Sequence, residues 1–199
     1  NSLASAQLVS DTLARSDDAR VQKAAPRLER ALTRAITLAT ETLDYGKAMP
    51  QPAELERVDL RQALDEAADE ALSAWPSVEF VNNVHMMDHV MADPDHLHRI
   101  AANLIRNAAE AMSAAGSDPS RIFVSLETNE VHFNDTGPGL PEKAAQNLFT
   151  PFAGSSRQSG TGLGLVIARE LARSMGGDLV LSATGPDGSS FRLTLPPQG

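Results

Sequence analysis

The sequence predicts an α+β chain in two unequal parts. A helical hairpin comes first, followed by an α/β sandwich in which helices cover one face of a mixed or antiparallel sheet. Three observations carry this. Apolar residues recur at spacings of three and four through residues 1–50, strand-like and helix-like stretches alternate after residue 57, and a Gly- and Pro-bearing stretch lies between. The length of 199 residues fits one domain plus a small attachment.

Leu3, Ala6, Val9 and Leu13 mark one helix face, and Leu28, Leu32, Ala35, Ala39 and Leu43 a second. Ser16-Asp17-Asp18 is the turn and cap between them, and Pro26 starts or kinks the second helix. An apolar stripe with no third element to cover it pairs with a second copy, giving a dimeric four-helix bundle through residues 1–50; packing on the rest of the chain is the alternative. Residues 51–56 close the Gly46–Glu56 linker, and 57–199 form the second domain.

Within that domain Asp59–Ala74 reads as a helix capped by Asp59 and stopped by Trp75-Pro76. Glu79–Val84 and His89–Ala92 read as short strands around a turn. Pro94–Ala115 is a long amphipathic helix, with Pro94 in its first turn and Gly116 beyond its end. Arg121–Thr128 and Glu130–Asn134 read as a hairpin, Asp135–Gly160 as a loop-rich stretch, and Leu163–Met175 as a helix ended by Gly176-Gly177. Asp178–Ala183 and Ser190–Leu195 form a last hairpin across Gly185-Pro186-Asp187-Gly188.

Acidic residues outnumber basic ones 26 to 17, for a net charge of −9, which argues against non-specific nucleic-acid binding. Cysteine is absent, which removes disulfides, thiolate metal sites and thiol catalysis. No apolar run is long enough to span a membrane, so no membrane contact is expected of these residues. Asn1 is not a natural start, and the chain reads as a fragment of something longer.

Three segments carry chemistry. Asn103 and Asn107 stand four apart in the long helix and project from one face; a side-chain amide oxygen is a suitable hard ligand for Mg²⁺, and capping of neighbouring loops is the plain alternative. Asp135-Thr-Gly137-Pro-Gly139-Leu140 follows a strand and puts a carboxylate at the floor of a cleft. A carboxylate accepts hydrogen bonds, so it favours an amino donor such as adenine N6, although the same residues also make an ordinary turn. Gly160-Thr161-Gly162-Leu163-Gly164 leads into a helix, where backbone N–H groups and the helix N-terminus favour phosphate. It is neither the dinucleotide fingerprint nor a P-loop.

In this order and spacing the three segments resemble the N box and the two glycine boxes of the Bergerat-type ATPases, specifically sensor histidine kinases. Phe149-Thr-Pro-Phe152 resembles their F box, and Gly176-Gly177 with Ser189-Ser190-Phe191 their C-terminal end; the likeness covers about residues 55–197. The hairpin is then similar to the family's dimerisation and histidine-phosphotransfer domain. Asn1-Ser-Leu-Ala-Ser resembles the stretch after the phosphoacceptor in His-Glu-Leu-Arg-Asn-Pro-Leu-Ala, with Ser2 standing where Pro is frequent.

The resemblance implies a Bergerat ATP-binding fold, ATP and Mg²⁺ as cofactors, and phosphate passed to a histidine upstream of Asn1 and on to an aspartate of a response-regulator receiver domain. It implies that Asp135 accepts from adenine with a water held by Ser190, that Asn107 holds Mg²⁺ with Asn103 beside it, and that Gly162, Leu163 and Gly164 present backbone to phosphate or ribose. Residues 141–160 become a lid over the nucleotide, with Arg157 its basic residue nearest the glycines. Glu110 stands where the family frequently has Lys, leaving Arg106 to supply positive charge, and Asn1 stands where the family places a water-orienting residue of phosphatase or phosphotransfer chemistry. A cytoplasmic location is implied, whether or not the full-length protein is attached to a membrane. None of the five histidines lies on the hairpin, and the cluster His85, His89, Asp93, Asp95, His96 and His98 is read as surface residues rather than a metal site. The competing readings are a kinase-like phosphotransfer or scaffold protein that does not use ATP, and a serine kinase of the anti-sigma-factor type, which lacks such a hairpin.

Overall fold

The computed structural model describes residues 52–151 and 162–197, together with Asp18, Val21, Gln22 and Ala25. The expectations for the rest of residues 1–50, for Asn1, and for Phe152, Arg157, Gly160 and Thr161 lie outside the described residues. In chain order the elements are β1 (Glu56–Asp59), α1 (Leu60–Ala71), β2 (Glu79–Asn82), β3 (His89–Ala92), α2 (Pro94–Ala115), β4 (Arg121–Glu127), β5 (Glu130–Asp135), α3 (Glu142–Gln146), α4 (Gly164–Ser174), β6 (Asp178–Gly185) and β7 (Gly188–Thr194).

Helix α2 has the expected bounds, for the expected reasons. Asp93 caps it by accepting from His96 N at 3.1 Å, Pro94 occupies the first turn, and Gly116 ends it in the left-handed conformation. Asp59 caps α1 by accepting from Gln62 N at 3.0 Å. That helix stops at Ala71, three residues before the expected end, because the chain turns ahead of Pro76 and Trp75 N donates to Leu72 O at 2.8 Å.

Five strands form one sheet in the order β2-β4-β5-β7-β6. All pairs are antiparallel except β2 with β4, so the sheet is mixed. Helices α1, α2 and α4 form the second layer, with α2 between the other two. Ile122, Val124, Val131, Phe133, Leu179 and Leu193 point from the sheet into the core, where they meet Leu64, Leu97, Ile100, Ile105, Met112 and Leu171. Burying one such aliphatic side chain contributes about 1.5–3 kcal/mol. The helix-on-sheet sandwich is thus present.

The structure supplies the strand pairing and one short helix, and corrects one boundary. β2 and β3 are not partners across their turn: β2 runs parallel to β4, while β3 pairs antiparallel with β1 in a separate two-stranded sheet. The residue assigned to the end of the linker, Glu56, is the first of β1, facing Ala92. The loop-rich stretch after Asp135 holds one short helix, α3 at Glu142–Gln146.

A charged staple joins α4 to the edge strand β6. Arg169 donates to both oxygens of Asp178, Nε at 2.8 Å and Nη2 at 2.9 Å, and its guanidinium stacks 4.6 Å from the Phe149 ring centroid. The hydrogen bonds from Arg169 hold the Asp178 carboxyl down at about 2, from an ordinary 3.8. A depressed carboxylate pKa supplies stability that is complete above pH 4 and fades as pH falls from 4 towards 2. With side chains 25% and 39% exposed, solvent screening limits the pair to roughly 0.5–1 kcal/mol. Asp178→Asn is therefore expected to melt about 2 °C below the parent at pH 7. The gap should close between pH 4 and 2, as read by circular dichroism; a constant gap would contradict the assignment.

Candidate functional site

Helix α2 is the spine of the site. Leu97, Ile100, Ala101, Leu104 and Ile105 turn to the core, which leaves Asn103, Arg106, Asn107 and Glu110 along a different strip. Asn103 is only 9% exposed and fully engaged. Its Nδ2 donates to Gly164 O at the start of α4, and its Oδ1 accepts from Asn107 Nδ2 at 3.3 Å and Arg106 Nη2 at 3.4 Å. A buried amide with both ends paired is a fastener; here it joins α2 to α4. The Asn107 bond uses the amide nitrogen and points it at Asn103, so the amide oxygen is turned the other way. Arg106 is exposed and Glu110 half-buried.

Asp135 ends β5 and is half-buried. Its Oδ1 accepts from Gly137 N at 2.8 Å and Ser189 N at 3.3 Å, two backbone donors that fix the carboxylate in one orientation. Thr136 anchors the same corner: its hydroxyl donates to Pro119 O at 2.7 Å and accepts from Arg121 N at 2.9 Å. Gly188, at the start of β7, lies so close that a Cβ on it would stand 1.8 Å from Asp135 O.

The serine beside Asp135 is not the expected one. Ser190 donates to Asn134 Oδ1 at 2.6 Å, on the opposite face of the sheet. Ser189 is 6% exposed and shares the face of Asp135. The signal was in the alternation: Phe191 and Leu193 point to the helices, so Ser189 does as well, and Ser190 cannot. Thr184, likewise unflagged by its type, accepts from Leu140 N at 2.8 Å and lies 3.2 Å from the Ser189 hydroxyl.

Two of the three glycine- and asparagine-bearing segments thus meet on α2. Met112 lies under the Asp135 corner, where Thr136 Oγ1 is 3.5 Å from its sulfur, and Asn103 holds Gly164. These two points are about 14 Å apart along the helix at 1.5 Å per residue, and Asn107 lies between them. The Leu163 side chain is 1% exposed and belongs to the core, while its carbonyl accepts from Ile167 N at 2.8 Å to open α4. Gly162 precedes it with φ +75°, and among the described residues no side chain caps the α4 N-terminus.

The histidine-rich cluster disperses. His85 lies in the β2–β3 turn, His89 opens β3, Asp93 and His96 form the α2 cap, Asp95 lies in its first turn, and His98 pairs with Glu70 at 2.9 Å. Among the described residues no three such side chains are placed to share a metal ion.

Known proteins resemble this chain in sequence and in fold. The sensor kinase BarA of Escherichia coli K12 is 32% identical over 181 residues, covering 82% of this chain and 20% of its own length. The adaptive-response sensory kinase SasA of Synechococcus sp. strain JA-2-3B'a(2-13) is 27% identical over 98% of this chain and 55% of its own length. The chain therefore spans between a fifth and about half of these relatives. The mycobacterial sensor histidine kinase MprB superposes with TM-score 0.59 at 25% identity, over 72% of this chain and 99% of its own. Full-length ShkA in complex with AMPPNP does so with TM-score 0.65 at 19% identity, over 98% and 44%, a likeness of fold. The model of the histidine kinase-, DNA gyrase B- and HSP90-like ATPases matches residues 92–199, just over half of the chain and the segment that holds every site residue described above. The chain belongs to that ATPase family, and the relatives named above are histidine and sensory kinases.

Proposed function

We propose that residues 57–199 bind Mg²⁺-ATP and serve as the catalytic ATP-binding domain of a sensor histidine kinase. In this reading the γ-phosphate passes to a histidine four positions before Asn1 in the family alignment, and then to an aspartate of a response-regulator receiver domain. Residues 1–50 supply the dimer interface and Asn1 a phosphatase or phosphotransfer contact. The observation that carries the reading is the arrangement on α2: a fixed carboxylate at one end, the start of a glycine-led helix at the other, and Asn107 between.

Each residue then has a task its chemistry allows. Asp135, held by two backbone donors, accepts from the 6-amino group of the purine. Ser189 takes the place first given to Ser190, since it faces the same side and can hold a water against the ring. Gly137, Gly139 and Leu140 frame the base, while Gly160, Thr161, Gly162, Leu163 and Gly164 offer backbone N–H groups and the positive end of α4 to the phosphates. The outward amide oxygen of Asn107 is a hard oxygen donor and fits Mg²⁺, which when bound neutralises phosphate charge. Asn103 acts through Asn107 and Gly164, and Arg106 adds positive charge nearby.

Titration with a non-hydrolysable ATP analogue tests the reading. Mg²⁺ should tighten binding by at least about tenfold, and Asn107→Ala should remove most of that gain. A folded chain that ignores nucleotide would instead favour the ATP-independent scaffold. Incubated with ATP, residues 1–199 should acquire no phosphohistidine, and one anywhere in them would contradict the proposed acceptor.

A further inference from the structure

The loop that carries Gly137, Gly139 and Leu140 is held to the β6–β7 hairpin at two points, and the polar one is a single hydroxyl. The first is steric. Gly139 has φ +71°, and its Cα approaches the Gly185 carbonyl so closely that a Cβ would stand 2.0 Å from the oxygen. The second is Thr184, whose Oγ1 accepts from Leu140 N at 2.8 Å. The same oxygen lies 3.2 Å from Ser189 Oγ, and Ser189 N donates to Asp135 Oδ1 at 3.3 Å. With Gly137 N on that carboxylate oxygen at 2.8 Å, the contacts close a ring that runs from Asp135 through the loop to Leu140, across Thr184 to Ser189, and back.

We propose that Thr184 is a positioning residue for purine recognition, setting both the distance of the loop from Asp135 and the direction of the Ser189 hydroxyl. This rests on the nucleotide-binding reading above. A hydroxyl that accepts a backbone N–H becomes a better donor, because successive hydrogen bonds polarise one another. This polarisation favours Thr184 as donor to Ser189 Oγ. The Ser189 proton is then left to point at the cleft, beside the acceptor Asp135. One donor beside one acceptor matches a 6-aminopurine, whose ring N1 accepts and whose 6-amino group donates. A 6-oxopurine presents the reverse pair, an N1–H donor and an O6 acceptor, and meets like against like.

The test compares ATP with inosine triphosphate, its 6-oxo counterpart, on the full chain by calorimetric titration. Thr184→Val keeps the shape and removes the hydroxyl; Thr184→Ser keeps the hydroxyl. Thr184→Val should bind ATP roughly five- to tenfold more weakly, the scale of one lost hydrogen bond. It should lose about the same factor in preference for ATP over inosine triphosphate, while Thr184→Ser stays within about twofold of the parent on both measures. Unchanged ATP affinity in Thr184→Val would overturn the proposal. Equal weakening towards both nucleotides would also overturn it, leaving only a loop anchor. If the parent chain binds neither nucleotide, the reading of the site and this proposal fall together; if the parent binds and Asp135→Asn does not, a silent Thr184→Val removes the Thr184 role alone.

Discussion

Asp135→Asn is expected to remove tight nucleotide binding and leave the fold in place. The amide oxygen of Asn can still accept from Gly137 N and Ser189 N, the two donors that orient the native carboxylate at 2.8 and 3.3 Å. The other terminal atom changes from acceptor to donor and faces the amino group of the base, donor against donor. Loss of a hydrogen bond to a charged group weakens binding by about 1.5–3 kcal/mol, or roughly ten- to 150-fold in Kd. Asp135→Ala should weaken binding within the same range, but also releases the loop, so the Asn variant is the cleaner probe. Titration with ATP alongside a thermal melt separates the effects. An unchanged Kd in either variant would place the purine elsewhere.

The largest effect on stability is expected from Gly188→Ala. Gly188 has φ +135°, which L side chains rarely adopt, and a Cβ there would stand 1.8 Å from the Asp135 carbonyl oxygen. Strained backbone of this kind costs about 1–3 kcal/mol, and a collision with main chain adds to it because neither strand can give way without breaking the β5–β7 ladder. A total of roughly 3–5 kcal/mol falls in the range of severe single substitutions, a drop in Tm of about 10 °C for a domain of this size. Nucleotide affinity should fall with it, since the displaced atom belongs to Asp135. A melt within a degree or two of the parent would mean that the start of β7 is not held against β5 in this way. Ser190→Ala, on the outer face of the same strand, serves as the mild control.

What could be read from the sequence was local. Helix α2 announced itself through a proline at its start, a glycine beyond its end and apolar spacing between, and both of its bounds hold. The strand His89–Ala92 likewise has its expected limits. The order of the asparagine pair, the aspartate corner and the glycine-led helix placed the candidate site before any coordinates. Pairing between distant segments was not legible. β2 and β3 have four residues each, too few to carry a register, and their short separation resembles a hairpin; their true partners, β4 and β1, lie further along the chain in both directions. β1 itself reads Glu-Arg-Val-Asp, with three charged residues in four, and is a strand because β3 presents a ladder to it, not through propensity. Choosing between Ser189 and Ser190 required carrying the alternation back two residues from Phe191 along β7, where a slip of one residue exchanges the faces. Thr184 was out of reach because it matters only once Leu140, forty-four positions away, is brought against it.

Asp93 has a second partner whose effect reaches beyond capping. One oxygen, Oδ1, holds His96 N at the head of α2; the other, Oδ2, accepts from Glu54 N at 3.0 Å. The chain entering the domain is therefore tied to the head of the helix that carries Asn103 and Asn107, two residues before β1 begins. That bond stands beside the β1–β3 ladder, whose Glu56–Ala92 pair ends one residue before Asp93, so the entering chain and the head of α2 share one anchor.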